Sequence, residues 1–240
     1  MGSERNPTGA AAILREADAV ILSWHGVLFD RGRREVHRAL TLAFEPWGLE
    51  PRPEELVATR GPVGQPQVRR LFALPRLAEA FRARHGRWAT DDDLVAIGRA
   101  VEGRTLEAAT RSPEPCPDAL ALLRALHARG VRTAAVVSAP RAALGPQIAA
   151  LDALPAEGGR PDALILSEES SEPAPAPWAI FEAMRRLDLG ERSAVVLVTD
   201  NAHGITAAAN AGIRAIGLET AGQPPAGAVA ATVRALDEAI

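Results

Sequence analysis

Residues 19–30 read AVILSWHGVLFD, an apolar run from Ala19 to Leu22 that opens into a loop carrying Ser23, Trp24, His25 and Gly26. A short apolar run without alternation is the pattern of a strand buried on both faces, as in a parallel sheet. In open α/β sheets the chemistry gathers beyond the carboxyl ends of such strands. Ser23 and His25 therefore stand where a site belongs.

Working outward, residues 33–47 carry Val36, Leu40, Ala43, Phe44 and Trp47 at helical spacing. The EPRPEE stretch starts another helix, and ATRGPVGQP breaks it with glycine and proline. Further helices are predicted around 66–73, 75–85 and 90–110, so 31–112 reads as all-helical. After Pro113 strands and helices alternate. Strands are predicted at 131–138, 161–166, 193–200 and 213–218, and helices at 117–129, 140–151, 175–187 and 203–212. VAATVRALDEAI is expected to close the chain as an amphipathic helix. Alternation of this kind implies a doubly wound parallel sheet of the Rossmann-like type. The expected organisation is a tail and lead-in over 1–18, an α/β core over 19–30 and 113–240, and an all-helical cap over 31–112 inserted after the first strand. The first ten or so residues, MGSERNPTGA, are expected to lack order and carry no signal-peptide pattern.

Composition narrows the function. The 240 residues carry a formal net charge of −3, which argues against a broad nucleic-acid or anionic-membrane surface. No apolar run approaches the length needed to span a bilayer. All 27 basic residues are arginine, so the chain has no lysine. Cys116 is the single cysteine, which excludes an intrachain disulfide and a cysteine-based zinc site. A reducing compartment, the cytoplasm, is the expected location.

The strand ends bring a family into view. The stretches Ser23-Trp24-His25-Gly26-Val27, Ser138, Ala174-Pro175-Ala176-Pro177-Trp178, Thr199-Asp200-Asn201-Ala202-His203-Gly204 and Asn210-Ala211-Gly212 resemble four motifs of the haloacid dehalogenase superfamily. The match is to its phosphonoacetaldehyde hydrolase (phosphonatase) branch, whose motifs read D-W-A-G-T, a threonine or serine, R-P-x-P-W, and G-D-T-x-x-D with a later N-A-G. The resemblance covers residues 19 to 220. It implies a haloacid-dehalogenase-like α/β core, a helical cap, and a homodimer through the cap, for which Leu71, Phe72, Leu74, Leu77 and Phe81 are the candidate apolar positions.

The catalytic positions depart from that pattern. Where the resemblance implies a nucleophilic aspartate that also binds magnesium, the chain has Ser23, whose neutral hydroxyl needs a base to attack. The third-motif cation falls on Ala174, and the second carboxylate of the fourth motif falls on Gly204; Asp200 alone survives. The branch's Schiff-base lysine falls near Gly64, and a chain without lysine has no side-chain primary amine to form an imine. Magnesium binding is expected to be weakened or lost, and no cofactor is implied. Glu168, Glu169 and Glu172 make an acidic loop where the family keeps a basic residue, which would repel a phosphate.

Three readings of the replacements follow. Ser23 and His25, two residues apart in an extended loop, point the same way; with Asp200 they would form a Ser-His-Asp set for a hydrolase or acyl transferase, although no G-x-S-x-G elbow is present. Alternatively His25 is a general acid/base, with Ser23 and Asp200 in support and His203 converging on them; a two-His-one-carboxylate metal site is the weaker branch of that idea. Finally, Asp200 and His203 serve only the start of a helix, Ser23 is a small polar filler, and the chain is a non-catalytic binding module for a small molecule or a protein. Trp24, Ser138, His203, Asn201 and Arg60 are the candidate ligand-binding residues, Arg60 as the cation for a charged ligand. His37, His85 and His127 read as solvent-facing. The expectation favours a repurposed, metal-independent enzyme built on His25, because polar residues stand where the family's groups were lost.

Overall fold

A computed structural model describes residues 7–29, 34–59, 64–139, 141–190, 193–218 and 229–231. Helix α1 (Pro7–Arg15) leads into strand β1 (Ala19–Ser23). Five helices follow: α2 (Arg34–Phe44), α3 (Pro53–Ala58), α4 (Gln65–Phe72), α5 (Pro75–His85) and α6 (Asp91–Arg111). The chain then alternates through α7 (Pro117–Ala128), β2 (Arg132–Val136), α8 (Gly145–Asp152), the single turn α9 (Ala156–Gly159), β3 (Ala163–Ile165), α10 (Trp178–Arg186), β4 (Val195–Thr199), α11 (Ala202–Asn210), β5 (Arg214–Leu218) and β6 (Val229–Ala231). It divides into two compact units, one of Met1–Gly32 with Pro113–Ile240 and one of Arg33–Ser112.

Among the described residues of the first unit, six strands form one sheet in the order β3-β2-β1-β4-β5-β6, every pair parallel. β1 lies between β2 and β4, so the strand order reverses beside it, the crevice position of doubly wound sheets. Successive side chains of a strand point to opposite faces. Val20 and Leu22 of β1 accordingly share one apolar cluster with Val196 and Val198 of β4 and with α1 and α7. Ala19 and Ile21 share the other with Val195, Leu197, Ile180 of α10 and Ala207 of α11. Burial on both faces is why AVIL is unbroken in the sequence.

The helical unit has its own core, in which Leu40 and Phe44 of α2, Leu71 of α4, Phe81 of α5 and Ile97 of α6 are buried together. Its longest helix, α6, begins with a reciprocal cap: Thr90 Oγ1 accepts from Asp93 N, and Asp93 Oδ2 accepts from Thr90 N at 2.7 Å.

Four expectations are corrected. Pro7–Arg15 is a helix with Ala10 and Leu14 buried in the sheet's core, so regular structure begins within the stretch expected to lack order, while residues 1–6 lie outside the described residues. Val229–Ala231, expected to be helical, pairs in parallel with Ile216–Leu218; the sheet edge offers these residues backbone partners that a helical pattern cannot reveal, and 232–240 lie outside the described residues. Leu71, Leu77 and Phe81 are fully buried within the helical unit, so these three are not available as a dimer surface. His127 does not face solvent: its Nε2 lies 2.8 Å from Thr133 Oγ1 and 3.3 Å from Asp162 Oδ2.

Candidate functional site

The register of β1 on β4 decides what meets what at the strand ends. Ile21 pairs with Leu197 and Leu22 with Val198, so the next rung sets Ser23 beside Thr199. Both are on the sheet face that carries Ile21 and Leu197, and Ser23 Oγ donates to Thr199 Oγ1 at 2.9 Å. The contact is interior, with Ser23 9% and Thr199 0% exposed. The same Thr199 oxygen accepts from Asn201 Nδ2 at 3.1 Å, and Asn201 Nδ2 also donates to Asp200 Oδ1 at 3.2 Å. Asn201 Oδ1 accepts from Gly204 N at 2.8 Å, which caps α11.

After Ser23 the chain turns tightly. Leu28 N donates to Ser23 O and Phe29 N to Trp24 O, while Gly26 N donates to Phe29 O at 2.7 Å. Gly26 has a φ of 85°, the left-handed region, and the Asp200 carboxylate occupies the space a Cβ at position 26 would need. Glycine is required there on both counts. Asp200 is thus laid against the loop next to His25, and both are interior, at 2% and 5% exposure.

The other expected site residues are placed as follows. Trp24 is buried, its ring stacked on Phe29 at 4.4 Å and its Nε1 donating to Gln147 Oε1 at 2.7 Å; its indole is committed to the core. Ser138 follows β2 and is exposed. His203 is half-buried in the first turn of α11. Arg60 lies outside the described residues. The structure brings Ser23, Asp200 and Asn201 together through Thr199 and Gly26. The hydrogen bond of Ser23 Oγ is with Thr199 Oγ1, a neutral hydroxyl that cannot act as a base, so Ser23 is not held as a Ser-His-Asp set requires.

The acidic loop is turned to structural use. Glu169 Oε1 accepts from Arg186 at 2.7 Å and its Oε2 from Leu166 N at 2.8 Å. Arg186 and that backbone bond hold the Glu169 carboxyl below its usual range. Glu168 Oε1 accepts from Arg141 N at 3.1 Å. Asn210, of the N-A-G stretch, donates Nδ2 to Pro175 O at 2.9 Å, tying the end of α11 to the proline-rich loop before α10.

A divalent cation bound in a site of this kind takes oxygen ligands, carboxylates foremost. Position 23 offers a hydroxyl already engaged with Thr199. Position 204 has no side chain, and a Cβ there would lie 2.5 Å from Thr199 Oγ1. No cluster of three or more His, Cys, Asp or Glu side chains placed for a metal exists among the described residues. The residues present do not fit a carboxylate-held magnesium ion.

Two residues central to this geometry escaped the sequence reading. Thr199 ends an otherwise apolar strand on the same parity as Ile21 and Ser23, a signal readable once the strands are placed in register. Gln147, which takes the Trp24 N–H, lies 123 positions away in sequence and carries no such signal.

A parallel sheet with its site beside the central strand and a helical insertion straight after that strand is the architecture of a hydrolase of the haloacid dehalogenase class. The haloacid dehalogenase-like hydrolase family model matches residues 10–212, and the chain belongs to that family. Within it the similarity runs to the phosphonoacetaldehyde hydrolase branch. The phosphonoacetaldehyde hydrolase of Bordetella pertussis is 27% identical over 225 residues, 92% of this chain and 79% of the relative. That of Paraburkholderia phytofirmans is 24% identical over 212 residues, 87% and 77% of the two chains. Among solved structures, a phosphonoacetaldehyde hydrolase-like protein from Oleispira antarctica superposes with a TM-score of 0.76 at 20% identity, covering 86% of this chain and 74% of that one. CbbY from Rhodobacter sphaeroides, in complex with phosphate, gives 0.63 at 20% identity over 89% and 92%; these two likenesses establish the fold. Among the described residues no helix is long and apolar enough to cross a membrane.

Proposed function

We propose that this chain is a hydrolase-family protein that has left both aspartyl-phosphate and imine chemistry and works as a non-catalytic binding module for a small molecule or a protein partner. The observation that carries this reading is the Ser23–Thr199 hydrogen bond of 2.9 Å, in the interior, at the position of the family's nucleophile. Phosphoryl transfer needs an activated nucleophile and positive charge aimed at the transferring group. Here the nucleophile position is a neutral hydroxyl donating to another neutral hydroxyl. Ala174 replaces the cation, and the sequence contains no lysine for an imine. Each missing interaction that acts in the transition state is worth several kcal/mol, about a hundredfold or more in rate, and the losses fall in separate loops.

The test is phosphate release by the purified protein, with magnesium, from phosphonoacetaldehyde and from p-nitrophenyl phosphate. Release no greater than the protein-free rate is expected. Magnesium-stimulated release that disappears in Ser23→Ala would overturn the reading.

A second reading has one specific observation behind it: the Asp200 carboxylate lies against Gly26, the residue after His25. A buried carboxylate within reach of the His25 imidazole would make a general acid/base pair. That reading makes the protein a metal-independent enzyme acting on a small molecule, and turnover of a substrate found by screening, lost in His25→Gln with folding intact, would select it over the binding module.

A further inference from the structure

We infer that Thr199, rather than the serine at position 23, is the residue that seals the family's metal position, because its side chain stands in the space that any side chain at position 204 would need. This rests on the reading that the chain has left phosphoryl transfer, and it deepens it by naming what holds the site shut.

Three atoms of one side chain carry the argument. A Cβ built on Gly204 would lie 2.5 Å from Thr199 Oγ1, 2.9 Å from Cγ2 and 3.0 Å from Cβ. The obstacle is a short β-branched side chain with stiff χ1, fully buried at the end of β4. It cannot swing aside as a long surface side chain does. Its hydroxyl is held as well, since Oγ1 accepts from both Ser23 and Asn201. Gly204 sits in the first turn of α11, whose position is fixed by the Asn201 cap on Gly204 N. The turn therefore cannot back away without losing its cap. Thr199 and Gly204 are a matched pair: a branched side chain stands at one position and no side chain at the other. In the quoted fourth motif the corresponding pair is glycine and aspartate, the reverse assignment. Restoring an acid at 204 alone would then build a collision, not a ligand.

The sign of a minimal substitution decides the matter. In a helix, alanine is ordinarily favoured over glycine, so Gly204→Ala should raise the melting temperature if the space were open. With Thr199 in place it is expected to lower it by about 5 °C or more, or to prevent folding. In the Thr199→Gly background the same Gly204→Ala change is expected to be neutral or stabilising, a coupling read by a double-mutant cycle of thermal melts. A Gly204→Ala protein that melts at or above the parent overturns the inference, and so does an equal loss in both backgrounds.

Calorimetric titration with magnesium chloride supplies a second readout independent of activity. Ser23→Asp/Gly204→Asp is expected to give no binding heat, and Ser23→Asp/Thr199→Gly/Gly204→Asp to give a saturable one. Heat from the first protein, or none from the folded second, overturns the claim that Thr199 closes the position. Should the triply substituted protein not fold, the Gly204→Ala melt decides alone. Magnesium-stimulated phosphate release by the unsubstituted protein would sink the functional reading, whereas the Gly204→Ala melt speaks only to the steric pair.

Discussion

At the scale of single residues, most buried polar side-chain atoms among the described residues are hydrogen-bonded, and one that is not is instructive. Gln67 of α4 is 3% exposed, and its Oε1 accepts no hydrogen bond. A sealed, unsatisfied amide oxygen costs about 1–3 kcal/mol, because the water it gave up is not replaced. Methionine has nearly the same shape and no such oxygen, so Gln67→Met is expected to raise stability by about 1 kcal/mol, read as a higher midpoint in urea unfolding at unchanged slope. A lower midpoint would mean that the amide is satisfied in solution. Ser23 shows the opposite case: its hydroxyl is spent on Thr199, so Ser23→Ala removes one partner of a buried bond and is expected to cost about 1 kcal/mol of stability. A serine poised for attack would instead be held by a base.

Among the elements, α11 matters most to the site, because one residue both starts it and organises the strand end before it. Asn201 caps the helix through Gly204 N and donates to Thr199 and Asp200. Removing a cap of this kind costs about 0.5–2 kcal/mol, and the same substitution strips a donor from the buried Asp200 carboxylate. Asn201→Ala is therefore expected to lose more than an ordinary cap, about 2 kcal/mol, measured by denaturant unfolding. Asn201→Asp should recover the cap but not the donated bonds, placing it between the two. An Asn201→Asp protein as stable as the parent would show that the amide's donation to Thr199 and Asp200 contributes nothing.

Over the whole molecule, what the sequence disclosed follows from the range of the forces involved. β1 was legible because burial on both faces leaves an unbroken apolar run, and α2 because one buried stripe leaves Val36, Leu40 and Phe44 at helical spacing. β6 was not, since Val229–Ala231 become a strand through the free edge of β5, a partner no local pattern records. The four strand-end loops were legible as motifs, but their meaning turned on Thr199 reaching Gly204 and Ser23, contacts made by register and not by proximity in sequence. Charge is readable only in part for the same reason: sequence gives the count, and folding assigns the partners. Glu55 is held below its ordinary value of 4.5 by its hydrogen bond to Arg76, whose Nε donates to Oε1 at 2.6 Å. Glu169 is lowered by Arg186, and half-buried Glu182 is brought down to about 2 by its hydrogen bonds to Arg185 first and Arg186 second. A carboxyl whose folded value is depressed adds stability that is complete above its unfolded value and fades as pH falls through the folded one. The acid limb should therefore begin near pH 4.5 and continue below it, with Glu55, the most buried of these carboxylates, as the largest contributor. Thermal melts between pH 7 and pH 2.5 are expected to show Glu55→Gln already destabilised at neutral pH but converging on the parent as acid protonates Glu55. Parallel curves across that range would show that the Arg76 pair does not carry the pH dependence. Arg186→Gln, whose partners are more exposed, is expected to shift the curve less, and still less at 0.5 M salt, where screening removes most of a surface pair's attraction.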